Sequence, residues 1–385
     1  MKELRAIYCI LVCLSLFGCD IDSMYPKSTY LLEVQKEQPL LPPIVVVPIK
    51  DTTNISDTTK KPIVPVQPLS PLCSGNRFGG VNVYGESQLE EKNGVYANSL
   101  NYLAVAKNLN FEFVAPANDT LSKRPFVLMI HEGAFLFGEL GAEMGKARLM
   151  ARKGYAAAAI NYRLGFENAS EANPCGSTSP NVIKALYRAV QDTKAALRYF
   201  AAHSDEFKID PNQIFLAGSS SGSMTITALN YMTEADFENL LPGIVQELGG
   251  LDQSGNNLTA TYKIKGLMSY LGYGILNTNL ITVDNVKPTL IFQGATDTVL
   301  PYTSGPLYNC GQYFTTYGSY PTVARLKQLQ QPFEWIVQPS AGHITTYSNE
   351  FISERYAEFI KRIWCNDLRQ VSWIDQNVVE NLPIK

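Results

Sequence analysis

Apolar positions along this chain fall into short unbroken runs that alternate with stretches of helical spacing. Residues 125–130 (Pro-Phe-Val-Leu-Met-Ile) are apolar throughout, as a strand buried on both faces requires. Similar strand-like runs occupy 155–160, 214–217, 264–268, 289–292 and 334–337. Between them, residues 141–153 are helix-like, and 181–203 carry Ile183, Leu186, Val190, Ala195, Leu197 and Phe200 at helical spacing. Further helices are expected from Gly222 to about Tyr231 and over 350–363. Ahead of these, Val81, Val83 and Tyr84, then 103–105 and 111–114, read as early antiparallel strands. Strand and helix in alternation predict an α/β fold, a doubly wound, mostly parallel sheet with helices on both faces.

The N-terminal stretch carries a different pattern. Lys2 and Arg5 precede an apolar stretch, 6–18, too short to span a bilayer as a helix but suited to a signal peptide over 1–18. It ends Leu16-Phe17-Gly18-Cys19, which resembles the lipobox of bacterial lipoproteins. That resemblance implies cleavage before Cys19, lipidation of its thiol and anchorage in the bacterial cell envelope. Phe17 is bulkier than the residue usual there, and an ordinary secretory signal is the alternative. Residues 19–71 are a linker rich in proline and threonine, which favours extended backbone over helix or central strand. The domain with a core is therefore expected over 72–385.

Composition narrows the class. Apolar residues make up 45% and charged residues 17%, with a net charge of −3, so the basic footprint of a nucleic-acid binder is lacking. Of the seven cysteines, Cys73, Cys175, Cys310 and Cys365 remain beyond the signal and the lipidation site, and an exported protein favours disulfides among them. Four cysteines allow three pairings, which spacing leaves open. None lies in a close C-x-x-C pair, so neither a metal site nor a cofactor is expected.

The candidate chemistry centres on G-S-S-S-G at 218–222. A strand-like run leads in and a small-residue helix leads out, the context in which G-x-S-x-G becomes a nucleophile elbow presenting Ser220. A serine hydroxyl needs a base. The chain offers three histidines, His131, His203 and His343. His203, at the end of a helix, is expected to meet backbone carbonyls. Residues 131–135, His-Glu-Gly-Ala-Phe, follow the buried strand 125–130 directly.

In this order the motifs resemble the α/β-hydrolase superfamily, nearest its bacterial carboxylesterase, acetylxylan and feruloyl esterase group. Segments Asn161-Tyr-Arg-Leu, Asp192-Thr-Lys-Ala-Ala-Leu-Arg-Tyr and Ile209-Asp-Pro-Asn strengthen the likeness, which covers roughly residues 78–363. The resemblance implies the α/β-hydrolase fold with Ser220, Asp297 and His343 as a catalytic triad. Asp297 lies in Gly294-Ala-Thr-Asp-Thr-Val-Leu-Pro301 and His343 in Ser340-Ala-Gly-His-Ile-Thr. Asp284 is the fallback acid, and Asp192 is read as an ion-pair partner of Arg198. The oxyanion hole would comprise backbone N–H groups of Gly133, Ala134 and Ser221. Glu132 and Ala134 stand where the family carries glycines, which puts the loop geometry in question, and His131 is read as an anchor of that loop. Phe135, Phe137, Tyr270 and Tyr273 are candidate pocket residues, and 233–257 reads as an insertion near the site.

The expected function is a serine esterase acting through an acyl-enzyme; the resemblance implies acetyl or feruloyl esters of polysaccharides as substrates, by analogy. The alternatives are a serine peptidase or lipase of the same fold, and a non-catalytic binding lipoprotein. Expected partners are the ester substrate and the membrane, through the lipid anchor.

Overall fold

The computed structural model describes residues 70–384. The expected signal peptide, Cys19 and linker residues 19–69 lie outside the described residues. Twelve strands follow in chain order: β1 (Leu89–Leu100), β2 (Ala106–Pro116), β3 (Arg124–Ile130), β4 (Ala156–Ile160), β5 (Ile209–Ser219), β6 (Ile264–Tyr270), β7 (Thr289–Gly294), β8 (Ser304–Pro306), β9 (Thr315–Tyr317), β10 (Phe333–Gln338), β11 (Arg369–Ile374) and β12 (Asn377–Pro383). Ten of them form one sheet in the order β1-β2-β4-β3-β5-β6-β7-β10-β11-β12, while β8 and β9 pair separately. From β4 to β11 all neighbours are parallel; β1, β2 and β12 add antiparallel edges.

The helices are α1 (Gly141–Arg152), α2 (Ser179–Ala202), α3 (Ser204–Phe207), α4 (Ser221–Tyr231), α5 (Glu234–Leu240), α6 (Ile244–Leu248), α7 (Ser319–Gln328) and α8 (Asn349–Trp364). Two apolar layers flank the sheet. In one, Val190 and Leu197 of α2 and Met224 of α4 meet Leu128, Ile214 and Leu216. In the other, Met144 and Met150 of α1 and Ile352 and Ile360 of α8 meet Val127, Met129 and Phe215. Neighbouring residues of β3 and β5 thus pack on opposite layers, so these strands have no polar face.

Two expectations at the start of the domain are corrected. Val81, Val83 and Tyr84 form no strand. Val81 is 70% exposed, and the N–H groups of Val83 and Tyr84 donate to the Arg152 carbonyl, satisfying the C-terminal end of α1. Residues 103–105 lie in the turn between β1 and β2, where the Asn101 side chain accepts from the Leu103 and Val105 N–H groups. The first strand is instead the polar-looking β1, an edge strand with little apolar alternation to mark it.

Residues 233–257 contain α5 and α6 and pack on the flank of α2, not at the serine. Tyr187 donates to the Gly249 carbonyl, Gln191 to the carbonyls of Leu248 to Gly250, and Arg198 to that of Ser254. The cysteines pair Cys73–Cys365 and Cys175–Cys310. Among the described residues no helix is long and apolar enough to cross a membrane.

Candidate active site

Ser220 is the residue between β5 and α4, at φ +50° and ψ −112°, a conformation unfavourable for a residue with a side chain. The turn is over-determined by its neighbours. The Ser220 N–H donates to the Tyr270 carbonyl at 2.8 Å, and the Ser223 hydroxyl donates to the carbonyls of Gly218 and Tyr270. Gly222 backs directly onto the end of β3: a Cβ there would lie 2.1 Å from the Ile130 carbonyl oxygen, so only glycine lets the helix start this close to the sheet.

A chain of hydrogen bonds leads away from this serine. Its Oγ lies 2.8 Å from Nε2 of His343, and His343 Nδ1 lies 3.0 Å from Oδ2 of Asp297. Asp297 is buried and further fixed: Oδ1 accepts the N–H groups of Val299 and Leu300, and Oδ2 accepts from Gln293 Nε2 at 3.2 Å. Gln293 also donates to the Leu300 carbonyl and accepts from the Ser319 N–H, so its amide is locked. A carboxylate accepting at Nδ1 sets the tautomer that leaves Nε2 free to accept the serine proton. The histidine and aspartate come from loops after β10 and β7, neighbours in the sheet. The fallback Asp284 is exposed in a turn, away from this group.

The loop after β3 runs through three successive residues of positive φ: Gly133 (119°), Ala134 (54°) and Phe135 (62°). A Cβ on Gly133 would fall 1.9 Å from the Phe137 carbonyl oxygen. The Gly133 carbonyl accepts from Leu136 and Phe137, and the Phe135 carbonyl accepts from Gly165. The N–H groups of Gly133, Ala134 and Ser221 donate to no acceptor among the described residues. They are free for a ligand oxygen, the requirement for an oxyanion hole. His131 sits fully buried under this loop, stacked on Tyr162 with ring centroids 4.4 Å apart, its Nδ1 donating to the Glu132 carbonyl. Burial holds its imidazole below the ordinary pKa. Tyr162 donates to the His131 carbonyl and lies 3.1 Å from the Ser221 hydroxyl.

The side chain of Glu132 has no hydrogen-bond partner among the described residues. Burial and the carboxylate of Glu143 raise its pKa; Lys146 and His343 partly offset this. Below the serine lies a group that motif reading does not reveal. Lys146 Nζ meets Glu143 Oε2 at 2.8 Å and donates to Ser219 Oγ at 3.1 Å, while Ser219 donates to Glu143 Oε1 at 2.7 Å. All three are buried, and the ammonium also lies 4.9 Å from the Tyr270 ring centroid. Nothing in the helix-like run 141–153 distinguishes these side chains from surface charges. Gln293 left a fainter signal, a polar residue closing an apolar strand.

The remaining expectations divide. His203 donates from Nδ1 to the Tyr199 carbonyl at 2.8 Å, far along α2. Asp192 is an ion-pair partner, but of Arg163 (2.7 Å); Arg198 turns to Asp252 and the Ser254 carbonyl. Arg163 wins because its backbone N–H also binds the Asp192 carboxylate, at 2.7 Å. Phe135 and Tyr273 are fully buried core residues, not pocket walls, whereas Phe137 is 39% exposed and Tyr270 half-buried.

The sheet order and the serine at the turn after β5 define an α/β-hydrolase fold. Residues 112–257 match the BD-FAE family model. Fumonisin B1 esterase of Sphingopyxis macrogoltabida is 25% identical over 138 residues, 34% of this chain and 25% of that protein, so the chain spans about a quarter of the relative's length. The propionate-bound esterase Est2 of Thermogutta terrifontis is similar in structure at TM-score 0.48 and 16% identity, covering 73% of this chain and 96% of that one. Esterase B of Lactobacillus rhamnosis, in complex with a tributyrin phosphonate, gives TM-score 0.44 at 13% identity over 71% and 87% of the two chains.

Proposed function

We propose that this protein is a serine carboxylesterase with Ser220, His343 and Asp297 as its triad. The observation that carries the reading is the hydrogen-bonded series Ser220–His343–Asp297 on a turn of positive φ. Ser220 Oγ attacks the ester carbonyl as His343 Nε2 takes its proton, and the resulting imidazolium is stabilised by Asp297. The free N–H groups of Gly133, Ala134 and Ser221 receive the oxyanion. His343 then protonates the leaving alcohol, and a water activated by the same nitrogen releases the acyl group. The BD-FAE match and the similarity to Fumonisin B1 esterase support ester hydrolysis. The substrate class within this reading is acetyl or feruloyl esters on polysaccharides, and Cys19 carries a lipid anchor in the bacterial envelope.

Hydrolysis of p-nitrophenyl acetate tests the reaction. Ser220→Ala and His343→Ala each lower kcat/KM by about 10³-fold or more while circular dichroism stays unchanged. Full turnover in either variant overturns the assignment.

A further inference from the structure

A groove of about 430 Å³ opens between the start of α1 and the β1–β2 hairpin, apart from the triad. Register places its hairpin side. Asn93 pairs with Glu112 and Val95 with Asn110, so these four side chains share one sheet face, the face on which α1 packs. Glu139 and Leu140, at the end of the loop that begins with His131, form the other wall. Asn161 closes the floor: its Oδ1 accepts the Leu140 N–H at 2.7 Å and its carbonyl accepts the Tyr96 hydroxyl at 2.6 Å.

The chemistry of the lining is distinctive. Asn93, Asn110, Glu112 and Glu139 direct no side-chain hydrogen bond to any other described residue. Lysine and arginine are missing from the lining, and two carboxylates are present, so an anion is disfavoured. Amides that both donate and accept, set beside carboxylates that accept, complement hydroxyl groups. Val95, 46% exposed, adds apolar surface for C–H groups.

Position ties the groove to the active site. Phe111, between Asn110 and Glu112, pairs with Ile160; Ile160 pairs with Ile130, and Ile130 with Gly218, two residues before Ser220. The groove therefore stands at the same rim of the sheet as Ser220, three strands away. At about 4.8 Å per strand this is roughly 14 Å across the sheet, and the oxyanion loop runs between the two.

We propose that this groove is a distal carbohydrate subsite, which holds a neutral oligosaccharide chain while an ester on that chain reaches Ser220. The proposal rests on the polysaccharide-ester reading above and adds the residues that bind the chain remote from the bond cleaved.

The test is calorimetric titration of full-length Ser220→Ala protein with xylohexaose, cellohexaose and mannohexaose. Binding of at least one is expected, weakened about tenfold by Asn93→Ala with Asn110→Ala, the loss of two hydrogen bonds. Both asparagines are exposed, so the fold tolerates their removal. A Val95→Arg variant, which fills the groove, gives a second comparison. Binding of none of the three sugars, or binding unchanged in both variants, overturns the subsite. Turnover of p-nitrophenyl acetate by the unmodified protein is measured in parallel. Turnover without groove-dependent binding removes the subsite alone, whereas groove-dependent binding without turnover removes the esterase reading and, with it, the groove's role in presenting an ester to Ser220.

Discussion

Glu132 shows how one side chain sets a pH response. Its carboxyl is held above the ordinary carboxylate pKa, first by burial and then by Glu143, so the folded protein binds this proton more tightly than the unfolded chain does. Between the unfolded and folded pKa values the native state holds more protons, and its stability falls as pH rises through that window. Glu132→Gln removes the titration. Denaturant unfolding at several pH values is expected to show the variant gaining on the parent as pH rises from the ordinary carboxylate range towards neutrality. A difference independent of pH, or one of opposite slope, refutes this account. Ser220 and His343 were legible as residues because the glycine-flanked serine and the small number of histidines left few choices. The Glu143–Lys146–Ser219 group was not, because an i,i+3 pair on a helix looks alike whether solvated or buried.

At the level of elements, apolar runs marked the buried strands well because β3, β5 and β7 pack on both faces. Periodicity was weakest at the edges, where β1, β11 and β12 keep polar residues in contact with solvent. The two disulfides tie elements that such patterns cannot relate. Cys73 precedes the first strand and Cys365 caps α8, a separation of 292 residues. A loop of that length implies a large entropic restraint on the unfolded chain. Replacing both with serine is expected to lower the unfolding free energy by about 2–5 kcal/mol, read from denaturant titration. Unchanged stability removes the disulfide from the account of this fold.

Over the whole molecule, the disulfide also fixes the position of the segment around Cys73 on the domain. The His343 loop stands at the rim that carries Ser220, and α8 runs from there to the opposite rim, where β11 starts. Cys73, bonded to Cys365, therefore lies at the rim away from Ser220. The lipid-anchor proposal predicts that Cys19→Ala moves the protein from the membrane pellet to the soluble fraction of a bacterial host. Unchanged fractionation, with no lipid mass on the N-terminal peptide of the parent protein, refutes it.

The sequence by itself determined the alternation of strand and helix, the strained serine turn and the residue types for a proton relay, because these depend on local periodicity and on glycine at tight turns. Tertiary structure alone decided which cysteines pair, that Arg163 and not Arg198 holds Asp192, and that Phe135 and Tyr273 belong to the core. It also decided that a polar groove forms between α1 and the β1–β2 hairpin. Each of these depends on distances between segments far apart in the chain. Such distances arise only when the sheet assembles, from a packing free energy that no single stretch of residues contains.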